Sequence, residues 1–67
     1  MKKATVKAYF LIDEDIHELE MTFAVNDNLE ETIESFMSYR AEKVYHAKDY
    51  TWYIEEEWYA NEEEEEL

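Results

Sequence analysis

The chain has 67 residues, with 19 Asp and Glu against six Lys and Arg and a formal net charge of −13. At this length it holds one domain and buries only about 60% of the surface its unfolded form exposes, so its core is small. With no cysteine, glycine or proline it has no disulfide, no thiolate metal site and no glycine-rich phosphate loop, and its charge sets it against nucleic acid and anionic lipid as direct ligands.

High charge alone favours disorder. Here 46% of residues are hydrophobic and 16% aromatic, which is enough to build a core from few positions. The opening MKKATVKAYFLIDED has no long apolar stretch and no small-residue cleavage site, so it reads as mature sequence rather than a signal peptide. No apolar run approaches the roughly 20 residues of a membrane helix. These features point to a soluble, cytoplasmic protein.

In residues 4–12, Ala4, Val6, Ala8, Phe10 and Ile12 fall on one face, and Thr5, Lys7, Tyr9 and Leu11 on the other. This period of two is a strand signature. After the acidic turn at 13–15, His17, Leu19, Met21, Phe23 and Val25 alternate with Glu18, Glu20 and Thr22. The two runs read as an antiparallel hairpin with one face covered. Without glycine, its turn must use residues such as Asp that tolerate left-handed backbone.

Residues 26–28 break the alternation. Asn28 and Glu31 have capping-box spacing, and Glu30, Glu31 and Glu34 crowd the positive end of a helix dipole. Leu29, Ile33, Phe36, Met37 and Val44 recur at helical spacing, with Arg40 within their stripe. The pattern predicts a helix over 28 to about 46; a shorter one, ending near 41, would leave residues 43–47 as an extra strand.

Residues 51–60 are rich in aromatic and branched side chains and read as a strand, although Ile54 and Trp58 also fit helical spacing. A regular strand places Trp52, Ile54, Glu56 and Trp58 on one face and Tyr53, Glu55, Glu57 and Tyr59 on the other. Residues 61–67 form a like-charge block and read as a disordered acidic tail. The expectation is one α+β domain over residues 1–60, of order β-β-α-β, with an antiparallel sheet and one helix packed on one face. The stretch ELEMTFAVNDNLEETIESFMSYR resembles the hairpin-to-helix section of ubiquitin-like β-grasp proteins. That likeness spans the first 47 residues. Conjugated ubiquitins end in a diglycine and this chain has no glycine, so no modifier function carries over.

Catalytic and metal readings find little support. Any two of nineteen acids could be named as a glycosidase pair, but a domain this small rarely encloses the pocket that chemistry needs. His17 and His46 lack a partner at helical spacing, and the acidic turn lacks the spaced ligands and glycine of an EF-hand. Ser35 and Ser38 sit on the helix without a motif-placed base. Arg40 in an apolar stripe suggests an ion pair with Glu56 on the facing strand, or the rim of an interface. The expectation is therefore no catalytic residue, no metal and no cofactor.

An interaction surface is the better-supported reading. One helix covers one sheet face, so Tyr9, Leu11, Tyr53 and Tyr59 are expected to form an exposed apolar patch. Glu55 and Glu57 would project together, about 6.6 Å apart. Rows of carboxylates at such spacing can stand in for DNA phosphates. In size and charge the chain is similar to small phage and plasmid proteins that mimic DNA and block nucleases, glycosylases or repressors. The expected partner-binding residues are Tyr53, Glu55, Glu57, Trp58, Tyr59, Glu30 and Glu34, and the expected partner is a basic protein, a DNA-binding protein in the sharper form of this reading. The alternative is a dimeric structural or accessory protein, its sheets stacked, whose charge serves solubility.

Overall fold

The computed structural model of the protein describes residues 1–60; the expected tail at 61–67 lies outside the described residues. The elements run β1 (Lys2–Ile12), β2 (Asp15–Ala24), α1 (Leu29–Tyr39), a π-helical turn (Arg40–Val44) and β3 (Asp49–Tyr59). They form a three-stranded antiparallel sheet of order β2-β1-β3 with one helix, the expected β-β-α-β arrangement. The strand after the helix pairs antiparallel to β1 and completes the described sheet.

The core is set by β1, the only strand in the described sheet paired on both sides. Ala4, Val6, Ala8 and Phe10 are fully buried. The alanines give the helix room to approach; Val6 and Phe10 fill the space between. From α1, Leu29, Ile33 and Met37 descend onto this row, and Ala41 of the π turn continues it. That spacing of four keeps one helix stripe inward. Partly buried Leu19, Phe23, Trp52 and Ile54 flank the cluster from the edge strands, and Phe23 meets Phe36 edge-on at 5.7 Å.

Two local features differ from expectation. The Asn28 side chain makes no capping hydrogen bond; instead the Asn28 N–H donates to Asn26 Oδ1 at 2.8 Å. The helix does not continue as α to residue 46, and 43–47 is not a strand. Its last turn is π, with the Tyr45 N–H donating to the Arg40 carbonyl at 2.8 Å. A π turn adds a residue to the cycle, so Tyr45 swings onto Phe10 (4.8 Å between centroids) while Val44 stays exposed. Backbone strain falls on Asp13 and His46, both at φ 55°. Asp and His are among the residues that enter this region most readily.

The largest departure is in β3. Pairing shifts by one residue between Thr5 and Val6: Val6 faces Ile54 but Thr5 faces Glu56, so Glu55 is an extra, bulged residue. A bulge of this kind reverses which face each later side chain takes. Before it, Tyr50, Trp52 and Ile54 point toward the helix. After it, Glu57 and Tyr59 do, opposite Ala4 and Lys2, while Glu56 and Trp58 move to the open face, opposite Thr5 and Lys3. The expected faces of this strand are therefore corrected beyond Ile54. Glu56 is exposed on the far side of the sheet and does not pair with Arg40. Arg40 instead lies over the Phe36 ring, 5.0 Å from its centroid.

Ile33→Ala is expected to cost about 3 kcal/mol through a core cavity. Arg40→Ala should cost less than about 1 kcal/mol, the range of an exposed cation–π contact. Urea melts of both variants check this; a loss at Arg40 as large as at Ile33 would mean that Arg40 has a buried partner.

Candidate protein-interaction surface

The bulge divides the expected binding residues between two sides of one strand. On the open face stand Tyr53, Glu55 and Trp58; on the helix side stand Glu57 and Tyr59, with Glu30 and Glu34 on the helix itself. Two ion pairs mark the split. Lys7 Nζ lies 3.5 Å from Glu55 on the open face, and Lys2 Nζ lies 3.2 Å from Glu57 on the other. Lys2 also sits 5.6 Å from the centroid of the Tyr59 ring. Glu55 and Glu57 therefore do not form the expected same-face row. Together with Glu56 they spread carboxylates to both sides of an edge strand.

Glu34 has a structural role that its position in an acidic helix did not suggest. Its carboxylate accepts hydrogen bonds from the Tyr50 hydroxyl and, at 2.9 Å, from Trp52 Nε1. The two donors, two residues apart on the inward face of β3, clamp strand to helix. They favour the ionised form, the Trp52 bond most, and hold the Glu34 carboxyl below the ordinary 4.5. The Tyr50–Glu34 bond in turn raises the pKa of the Tyr50 phenol. Beside the clamp, Glu30, Glu31, Ser35 and Trp52 border an open depression.

The open face carries a second group of residues. Tyr9 and Tyr53 stack with centroids 6.3 Å apart. The Tyr53 hydroxyl, then partial burial, and then Glu18 push the Tyr9 phenol up to about 12. Lys7, facing Glu20 across β1 and β2, is held more firmly protonated by Glu55 and then Glu18. At one corner Tyr9, Leu11, Ile16 and Thr51 line a shallow depression of about 200 Å³ with Asp49 on its rim. Ile16 is 70% exposed there. Tyr9, Leu11 and Tyr53 thus share the open face as expected, while Tyr59 is on the other side.

Among the described residues no group of three or more His, Asp or Glu comes together as a metal site, and no helix is long and apolar enough to cross a membrane. His17 packs on Tyr45 at 4.7 Å. No protein family matches the chain, and no curated protein or solved structure is significantly similar to it.

At pH 7, Glu34→Gln should lower stability by about 1 kcal/mol, the strength of hydrogen bonds to a charged group discounted for solvent exposure. Because the folded pKa is depressed, this contribution is present above the unfolded value and is lost as pH falls through the folded one. Urea melts should therefore show the difference between wild type and variant at pH 7 and its disappearance in acid, below the folded pKa. A difference that persists in acid would assign it to the shape of the side chain and not to its charge.

Proposed function

We propose that the protein is a small acidic, non-enzymatic interaction protein that binds a basic surface on another protein. In the sharpest form of this reading it occupies the site of a nucleic-acid-binding protein by offering carboxylates where that protein meets phosphates. The observation that carries it is the bulge at Glu55, which sets Glu55, Glu56 and Glu57 on both sides of an exposed edge strand beside Trp58 and Tyr59. Acid supplies steering and on-rate; the aromatics supply contact area at low entropic cost. Glu30 and Glu31, exposed in the first helical turn, extend the negative surface on the helix side. On the open face, Glu18 and Glu20 of β2 stand two strands away from Thr51 and Tyr53, and the β3 acids follow further along that strand. Lys7 between them is tied to Glu55.

A second reading rests on the apolar corner of the open face. Leu11 and Ile16 are exposed beside the Tyr9–Tyr53 stack, and two copies stacked through this face would cover them. In that case the charge serves solubility.

The first reading predicts capture of basic DNA-binding proteins that duplex DNA displaces. It also predicts binding that weakens about tenfold or more between low and physiological salt. A Glu55→Gln, Glu56→Gln, Glu57→Gln protein should lose most of that affinity while melting normally. Binding that ignores salt, DNA and these substitutions would overturn it. The second reading predicts a dimer mass at all salt concentrations, and dissociation by Ile16→Lys.

A further inference from the structure

The two edges of the sheet are built differently. β3 is interrupted by its bulge, a device that blunts an edge against further pairing. β2 pairs with β1 in continuous register from Asp15 to Ala24. Along its outer side no other element among the described residues hydrogen-bonds to it. It therefore presents a straight row of backbone donors and acceptors.

The side chains of β2 specify what could pair there. On the helix side Leu19, Met21 and Phe23 are only half-buried, although their partners Ala8, Val6 and Ala4 on β1 are fully buried. The apolar row is covered from the β1 side and open at the edge. On the other face Glu18 and Glu20 are exposed. A strand added at this edge would meet apolar surface with one set of alternate residues and carboxylates with the other.

A second copy of the chain is a poor occupant. In antiparallel self-pairing, a two-fold axis at Leu19 sets Glu18 against Glu20. An axis at Glu18 or at Glu20 sets that residue against itself, while an axis at Met21 avoids opposed charges but leaves both glutamates without a cation. Like charges directly opposite are destabilising. Charge complementarity selects a basic strand instead.

We infer that the outer edge of β2 is a strand-addition site for an extended segment of a basic protein, in which lysine or arginine alternates with apolar residues. Cations face Glu18 and Glu20, apolar side chains extend the Leu19, Met21 and Phe23 row, and backbone hydrogen bonds supply the common affinity. The inference rests on the reading that the partner is basic, but it places recognition on the edge opposite β3.

The test uses the full chain and a synthetic peptide as long as β2, alternating lysine with valine, with amide hydrogen exchange followed by NMR. The expected result is new protection confined to β2 amides, and cross-strand contacts that place peptide lysines opposite Glu18 and Glu20. A Glu18→Gln, Glu20→Gln protein should bind about fivefold more weakly. A peptide of the same composition with its lysines and valines in separate blocks should not protect β2. The Glu55→Gln, Glu56→Gln, Glu57→Gln protein should still show protection confined to β2 with the alternating peptide, so failure of the β3 surface and failure of this edge are read separately. No binding, equal binding of the blocked peptide, or binding abolished by the β3 substitutions would each overturn the inference.

Discussion

The fully buried row Ala4, Val6, Ala8 and Phe10 constrains the rest of the structure. It belongs to the central strand, so its alternation decides which face of both neighbouring strands turns inward. Small residues at two of the four positions let a single helix lie close enough for Leu29, Ile33 and Met37 to complete the core. One helix cannot cover both sides of a sheet, and the other side is left to its own long side chains. There the Tyr9–Tyr53 stack and the Lys7–Glu55 pair lie over the middle strand, and Thr5 is 9% exposed.

The bulge at Glu55 is the second organising feature. Without it, Trp58 would follow Trp52 and Ile54 onto the helix side and Glu57 would follow Tyr53 onto the open face. With it, the end of β3 meets the start of β1 through Lys2–Glu57 on one side and Lys3 opposite Trp58 on the other. The strand thus switches from an apolar inward face that is clamped by Glu34 to an acidic segment that is exposed on both sides. Extra twist and charge at the same place also protect the edge from uncontrolled pairing.

Much of the fold was legible because it rests on period. The alternations in 4–12 and 17–25 gave the hairpin and its inward faces, and the recurrence of Leu29, Ile33 and Met37 gave the helix. What escaped depends on single-residue insertions that carry no compositional mark. The bulge lies within three consecutive glutamates, where a slip of one residue replaces Glu with Glu and leaves the pattern unchanged. The π turn likewise moves the inward position from Val44 to Tyr45, both plausible core residues. Of the expected surface, Tyr53, Glu55 and Trp58 share the open face, but Glu57 and Tyr59 are on the other side. Glu34 looked like helix-end acid because its donors, Tyr50 and Trp52, are far away in sequence.

The same charge acts differently in different places. In Glu34 a carboxylate joins helix to strand, so part of the acidity is structural. In Glu55 and Glu57 it is partly offset by lysines from β1, which fixes where these side chains lie while leaving them accessible. In Glu18 and Glu20 it lines a regular edge that would otherwise invite pairing with any extended chain. In its central registers such an edge would set like charges opposite in a copy of itself, whereas a strand of opposite charge would meet both glutamates. Selectivity of this kind comes from what the surface excludes as much as from what it attracts. It also relates the large net charge to the small core: among the described residues, so few buried side chains leave open one sheet face and two strand edges, and carboxylates stand along all of them.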